Sequence, residues 1–246
     1  MNKFTVGVII VLLALFCGVI YWSTNMNNRP AEIGGYDSHK LIGPSEDNGN
    51  IGDHVHGKED SPVVFVEYAD LQCPGCASTY PVILDLLEEY GDRVAFTYRN
   101  FPIASIHPNA RAAATAAESA GFQGYYWETL EVLYSNRDEW INLTGSDRTD
   151  KFAELFKRAA PDGDVDKFRT DMADKNIEKK INFDYNLGTK QDNITATPAF
   201  LVNGKSVDMN NVSTQDDIKN QVRALLDEEL KKNNMEAGPK KTSSKD

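Results

Sequence analysis

Cysteine is scarce in this sequence. Three cysteines occur in 246 residues, at positions 17, 73 and 76, and the first of them lies in an apolar N-terminal run. A secreted domain that is held together by several disulfide bonds contains more cysteine than this, so that class of protein is excluded. The remaining two cysteines are separated by only two residues, a spacing that suits a reactive pair.

Basic residues are also too few and too scattered for a nucleic-acid-binding protein. The chain has 26 Lys and Arg against 37 Asp and Glu, a formal net charge of −11, and no basic stripe interrupts this excess. Proteins that bind phosphate backbones carry clustered positive charge. We therefore expect no nucleic-acid partner, and the sequence shows no internal repeat.

Only one apolar run is long enough to cross a membrane. The run from Phe4 to Trp22 carries no charge, and a bilayer-spanning helix needs roughly 20 such residues. The run exceeds the ~7–15-residue apolar core of a cleaved signal peptide, and no A-x-A-like site follows it. With Lys3 before it and Tyr21 near its end, it predicts a signal anchor over residues 1–24. We expect a single-pass protein of the cell membrane with the rest outside the cytoplasm; a cleaved signal peptide is the alternative.

Composition divides the remainder into three parts. Residues 25–56 are polar and rich in Gly, Asn and Asp, which predicts a linker. Residues 57–232 are enough for one domain with a sizeable core. Residues 233–246 are charged and predict a disordered tail.

Two histidines in the predicted linker allow a metal-binding alternative. His54 and His56, together with Cys73 and Cys76, provide four ligands of the types that zinc prefers. Surface histidines beside a self-sufficient cysteine pair are the better interpretation, so we expect no metal.

The cysteine pair lies where a predicted strand gives way to a predicted helix. The run Val63–Val66 is typical of a buried strand, and apolar residues then recur with helical spacing from Tyr80 to Tyr90. Cys73 would therefore meet the unpaired N–H groups and the positive dipole at a helix start, which stabilise a thiolate. Cys76, one turn further on, would be the shielded resolving thiol.

The rest of the domain predicts a mixed fold with a helical insertion. Val94–Tyr98 is a second strand, parallel to the first, and residues 103–190 show five helical patterns. Ala199–Val202 and Lys205–Asp208 then form a hairpin about Asn203-Gly204. A last helix follows, with Ser213 and Asp216 predicted to cap it.

Several segments resemble the DsbA-like disulfide oxidoreductases of the thioredoxin fold, in their membrane-anchored bacterial branch. The resemblance covers roughly residues 57–230 and rests on Val64–Cys76, Arg99-Asn100-Phe101-Pro102, His107-Pro108-Asn109-Ala110, Thr197-Pro198-Ala199-Phe200 and Asn203-Gly204. It implies an α/β thioredoxin fold, β-α-β then β-β-α, with a helical insertion at about 103–190 and a transmembrane helix ahead of it.

The resemblance also implies roles for individual residues. A cis Thr197-Pro198 bond would face a redox-active Cys73–Cys76 disulfide, and Thr197, Pro198, Pro74 and Gly75 would contact the substrate. Glu67 would be a buried acid that relays protons to and from Cys76, although an edge position facing solvent is the alternative. His107 is expected to be structural rather than a catalytic base.

The expected activity is thiol:disulfide exchange that introduces disulfides into reduced, unfolded secreted polypeptides. It needs no cofactor, and the resemblance implies a quinone-linked membrane partner that reoxidises the cysteine pair. A reductase or isomerase that uses the same residues is the first alternative. A zinc- or copper-binding module is the second.

Overall fold

A computed structural model describes residues 33–239 of the chain. The predicted signal anchor, the first part of the predicted linker and the last residues of the predicted tail lie outside this range. Within residues 33–239, no helix combines the length and the apolar character that a membrane-crossing segment requires.

A five-stranded mixed sheet forms the centre of the described part. Its strands are β1 (Val55–Gly57), β2 (Val64–Ala69), β3 (Ala95–Asn100), β4 (Ala199–Val202) and β5 (Lys205–Ser206), in the order β1-β3-β2-β4-β5. β2 and β3 are parallel, and the other neighbouring pairs are antiparallel. The expected β-α-β and β-β-α units are confirmed. β1 was not predicted, because three residues are too few to show a strand period.

Helices connect and flank these strands. The described residues contain α1 (Pro74–Tyr90), α2 (Ala110–Gly121), α3 (Tyr126–Ser135), α4 (Gly145–Ala159), α5 (Val165–Asp171), α6 (Lys175–Lys190) and α7 (Gln215–Lys232), with short 3-10 turns at Arg137–Glu139 and Met209–Asn211. α1 links β2 to β3, and α2 to α6 form the predicted insertion between β3 and β4.

The main core lies on the face of the sheet that α1 and α7 cover. Phe65 of β2, Phe96 of β3 and Phe200 of β4 pack there with Ile83 of α1 and Val222 of α7. Each such side chain contributes roughly 1.5–3 kcal/mol when fully buried. The insertion helices extend the same cluster, so the insertion shares one core with the sheet.

The segment before β1 packs against the domain, and the linker prediction is wrong for residues 33–56. Ile33, Ile42 and Ile51 are buried, and β1 pairs with β3. The side chain of Asp53 is 1% exposed and forms an ion pair of 2.8 Å with Arg99 of β3. The domain therefore begins well before residue 57.

The segment after α7 also differs from its prediction as a disordered tail. Over residues 233–239 the chain packs back on the domain, with Met235 against the main core. Arg93 donates hydrogen bonds to the carbonyl oxygens of Glu236 and Gly238. The capping box of α7 is made by Thr214 and Asp217, one residue later than the sequence predicts.

Candidate active site

The cysteine pair lies at the start of α1, as the sequence predicts. Cys73 is the residue that caps the helix, with extended backbone angles (φ −67°, ψ 125°), and Pro74 begins the helix. Proline leaves no unpaired N–H at this position. Cys73 is 8% exposed whereas Cys76 is fully buried. Both are free thiols, so the structure corresponds to the reduced pair.

Hydrogen bonds stabilise Cys73 as a thiolate. The largest contribution comes from the Cys76 thiol, and the backbone N–H groups of Cys76 and Gly75 and the hydroxyl of Thr197 add to it. Burial acts in the opposite direction, but the pKa of Cys73 still falls from 9.0 to about 5. At neutral pH, Cys73 is therefore a thiolate nucleophile.

The environment of Cys76 stabilises its protonated thiol instead of the thiolate. Burial is the main cause that raises the pKa of Cys76 well above its ordinary value. Its hydrogen bond to the Cys73 sulfur and the negative charges of Glu67 and Cys73 act in the same direction. Cys76 is therefore protonated at neutral pH and shielded from solvent.

The loop before β4 lies against Cys73. The Thr197-Pro198 peptide bond is cis, as the family resemblance implies, and the Cys73 sulfur lies 3.6 Å from the Thr197 carbonyl oxygen. That contact suits a protonated thiol. The buried Thr197 hydroxyl has no hydrogen-bond partner, and it can donate to the sulfur once Cys73 is a thiolate. A Cβ at Gly75 would lie 3.4 Å from Pro198 Cδ and fill the gap between the helix start and this loop.

Glu67 lies on the same face of the sheet as the main core. It is 1% exposed, so the alternative of an edge residue that faces solvent is wrong. Burial, followed by the negative charge of Cys73, raises the pKa of Glu67 to about 8. One carboxyl oxygen, Oε2, is buried without a hydrogen-bond partner. Glu67 is therefore a largely protonated acid at neutral pH, and its charge is coupled to both cysteines.

Asp70, to which the sequence assigned no role, holds the loop ahead of Cys73. Asp70 accepts hydrogen bonds from the backbone N–H groups of Gln72 and Ile103. Its carboxylate also lies 2.8 Å from Nδ1 of His107. His107 thus contacts the buried Asp70 and packs beside the loop, which fits its expected structural role.

Arg137 and Asn109 connect this loop to the helical insertion. Arg137 donates two hydrogen bonds to the carbonyl oxygen of Gln72, the residue before Cys73. The side chain of Gln72 in turn accepts from the backbone of Asn109 and donates to the carbonyl of Ile141. No local pattern in the sequence identifies Arg137, because its partner lies 65 residues away.

The two histidines of the metal alternative are engaged elsewhere. Nε2 of His54 lies 2.9 Å from Glu118, and the ring of His56 makes an edge contact with Trp127. Among residues 33–239, no group of three or more His, Cys, Asp or Glu side chains could hold a metal ion. His54 and His56 therefore do not join Cys73 and Cys76 in a site.

Alkylation of the reduced chain should separate the two cysteines. We expect the iodoacetamide reaction of Cys73 to rise with pH through a midpoint near 5 and to level off above it, because only the thiolate reacts. Cys76 should react at least ~100-fold more slowly at pH 6. Peptide mapping of the labelled protein measures both rates.

A matched variant tests the cause of this difference. Thr197→Val removes the hydroxyl and should raise the Cys73 midpoint by about 1–2 pH units, the effect of one hydrogen bond to a charged group. Equal alkylation rates for Cys73 and Cys76, or a Cys73 midpoint between 8 and 9, would contradict the assignment.

Comparison with known proteins agrees with this geometry. The sequence model of the family described as Thioredoxin matches residues 49–236. A probable disulfide bond formation protein D from Bacillus cereus is 30% identical over 183 residues, which cover 72% of this chain and 78% of that protein.

The Na(+)/H(+) antiporter NhaA 3 of Salinispora tropica is 37% identical over 153 residues. That match covers 62% of this chain but only 22% of the antiporter, so the chain spans about a fifth of the first curated relatives.

Solved structures share the fold. BdbD from Bacillus subtilis, in its oxidised form, superimposes with a TM-score of 0.58 at 23% identity, covering 76% of this chain and 97% of BdbD. Alpha-DsbA1 from Wolbachia pipientis superimposes with a TM-score of 0.57 at 24% identity, covering 73% and 94%.

Proposed function

Because the chain belongs to the DsbA-like branch of the thioredoxin family, we propose that it introduces disulfide bonds into secreted polypeptides through Cys73 and Cys76. One observation carries the proposal: a thiolate-stabilised Cys73 at a helix start faces the cis Thr197-Pro198 loop. A thiol with a low pKa is a good leaving group, so the same hydrogen bonds that stabilise the Cys73 thiolate favour transfer of the disulfide to substrate.

The reaction begins with the oxidised pair. A substrate thiolate attacks the sulfur of Cys73, a bond forms between the two sulfurs, and the Cys73–Cys76 bond breaks. Cys76 departs as a thiolate, and its raised pKa makes rapid protonation favourable. A second substrate thiolate then attacks the substrate sulfur of the mixed disulfide. Cys73 leaves as a stable thiolate, and two electrons have passed from the substrate to the enzyme.

Glu67 supplies the proton for Cys76 in this scheme. Burial raises the pKa of Glu67 to about 8, so the acid form predominates at neutral pH. A general acid with a pKa near the working pH transfers protons efficiently. The charge coupling between Glu67 and Cys76 supports this role, because each group favours the neutral form of the other.

The Thr197-Pro198 loop and the start of α1 would bind the substrate. An extended substrate segment can pair with the backbone of Thr197 as an added strand. Gly75 leaves room between Pro198 and the Cys73 sulfur, which would admit the substrate sulfur.

An oxidation assay tests the activity. The purified oxidised chain is mixed with a reduced, unfolded secreted protein, and free thiols and protein masses are followed. We expect the substrate to lose two hydrogens for each enzyme pair that becomes reduced. If the chain instead reduces or rearranges substrate disulfides without forming new ones, it is a reductase or an isomerase.

We propose further that residues 1–24 anchor the chain in the cell membrane, with the catalytic domain outside the cytoplasm and a quinone-linked membrane protein as oxidant. The uncharged run from Phe4 to Trp22 supports the anchor, and stable disulfide formation needs an oxidising compartment. Membranes washed with carbonate should retain the chain. Recovery of a soluble, N-terminally trimmed form as the main species would show a cleaved signal peptide instead.

A further inference from the structure

A tyrosine on the strand next to Glu67 is hydrogen-bonded to a second buried tyrosine. Tyr98 of β3 is the register partner of Glu67 of β2, and partners in a parallel ladder direct their side chains to the same face. The hydroxyl of Tyr98 lies 3.1 Å from that of Tyr134 on α3. Tyr98 and Tyr134 are both buried. The two hydroxyls therefore form a small polar cluster in the apolar core next to Glu67.

The hydrogen-bonding requirements of the tyrosine pair and of Glu67 match each other. Within the Tyr98–Tyr134 pair one hydroxyl donates and the other accepts, so one O–H proton has no acceptor within the pair. Oε2 of Glu67 is a buried acceptor without a donor. Buried polar groups are almost always hydrogen-bonded. The tyrosine O–H proton needs an acceptor and Oε2 of Glu67 needs a donor, so the two groups are complementary. Burial, and in addition the negative charge of Glu67, raise the pKa values of Tyr98 and Tyr134, so both tyrosines lie close enough to interact electrostatically with the carboxyl group. A side-chain movement or one bridging water would complete the hydrogen bond.

Among the described residues, the titratable groups that interact with Glu67 include no cation. These groups are Cys73 at the N-cap of α1, Cys76 and Tyr80 on α1, Tyr98 on β3 and Tyr134 on α3. Phe200, its partner on β4, is apolar. None of these groups is a cation, so a carboxylate formed here depends on hydrogen bonds for its stabilisation.

We infer that Tyr98 and Tyr134 are positioning residues whose paired hydroxyls donate a hydrogen bond to the Glu67 carboxylate during proton transfer to Cys76. The inference rests on the proposed function. As a substrate thiolate bonds to Cys73, the Cys73–Cys76 bond breaks and Cys76 takes the proton of Glu67. The carboxylate that remains then accepts the tyrosine hydrogen bond, and the tyrosines keep their protons.

The test is the pH profile of disulfide reduction in the full oxidised chain. A small monothiol reduces the Cys73–Cys76 bond, and the rate is corrected for ionisation of that thiol. The rate should fall as Glu67 loses its acid form, and Glu67→Gln should abolish this inflection. Tyr98→Phe removes the donor, which destabilises the carboxylate and should raise the inflection by about one pH unit, a tenfold change in the ionisation constant.

Three further variants separate this role from a structural one. Tyr134→Phe should shift the inflection in the same direction by a smaller amount, and the double variant should shift it no further than Tyr98→Phe. Tyr126→Phe is the matched control, since Tyr126 lies on the helix that carries Tyr134 and its buried hydroxyl is not part of the Tyr98–Tyr134 pair; it should leave the inflection unchanged.

The possible failures are distinguishable. No shift in Tyr98→Phe, or an equal shift in Tyr126→Phe, overturns the tyrosine role and leaves the proposed function intact. A wild-type profile without an inflection that depends on Glu67 overturns the proton donor itself, and with it the inference. A chain that does not exchange disulfides at all overturns the proposed function.

Discussion

Replacement of Cys76 by Ser should trap a covalent complex between the enzyme and its substrate. The reduced Cys76→Ser variant is mixed with a peptide whose single cysteine carries a small disulfide-linked leaving group. In the wild-type chain the pKa of Cys73 is about 5. The introduced hydroxyl can replace the Cys76 thiol as a hydrogen-bond donor, so Cys73 still attacks as a thiolate at pH 6. In the wild-type chain Cys76 lies at the other end of the same helical turn and releases the peptide. In the variant this release is lost and the complex should accumulate to near one peptide per chain.

The companion variant provides the control. Of the active-site pair, Cys73→Ser keeps only the buried Cys76, whose pKa is raised well above its ordinary value. Complex formation should therefore fall by at least ~100-fold at pH 6, because the reactive thiolate fraction drops tenfold for each pH unit below the pKa. Non-reducing mass spectrometry counts the complexes. Comparable trapping by the two variants would show that the roles of Cys73 and Cys76 are misassigned.

Loss of the Asp53 charge should have the largest effect on stability. The side chain of Asp53 is buried, and its carboxylate lies 2.8 Å from Arg99 and 3.2 Å from Lys180. Lys180 also pairs with Asp184 at 2.8 Å. Burial alone would raise the pKa of Asp53, but Arg99 and Lys180 together hold it well below its usual range. Asp53 is therefore fully ionised at neutral pH.

The Asp53→Asn variant keeps the shape and removes the charge. It leaves two buried cations poorly compensated, and breaking such a network costs about 3–5 kcal/mol in the free energy of unfolding. Urea unfolding at pH 7 measures the loss. The pKa of Asp53 is lower in the folded than in the unfolded chain. Asp53 therefore adds to the free energy of unfolding at pH values above its unfolded-state pKa, and this contribution disappears as the pH falls through its folded-state pKa.

A surface ion pair serves as the matched control. Asp85 lies 2.6 Å from Lys219, but its side chain is 60% exposed. Asp85→Asn should therefore change the free energy of unfolding by only about 0–1 kcal/mol. A loss in Asp53→Asn no larger than that in Asp85→Asn would show that the segment before β1 does not stabilise the domain.

The sequence predicted the features that depend on neighbouring residues. A buried strand, Cys73, Pro74 and a helical period occur in one continuous stretch, so the thiolate position follows from local rules. The hairpin after β4 was found for the same reason, since Asn203-Gly204 specifies the turn. The capping box lies one residue later than predicted. Ser213 and Thr214 are both good N-cap residues, and the sequence alone does not distinguish between them.

Features that depend on distant partners were missed. Residues 33–56 look like a linker because their buried isoleucines show no period and their polar residues show no pattern. Asp53 becomes interpretable only when Arg99 and Lys180 lie beside it. For the site, Glu67 was identified through the family resemblance, whereas its pairing with Tyr98 depends on the strand register, which local patterns leave undetermined.

The reduction potential of the Cys73–Cys76 pair tests the central claim most directly. A stabilised Cys73 thiolate favours the reduced form and makes the disulfide oxidising. The purified chain is equilibrated against a series of glutathione ratios, and the reduced fraction is read by thiol labelling. The account predicts a potential of about −120 to −200 mV. A value below about −250 mV, close to that of thioredoxin, would contradict the oxidase and favour a reductase.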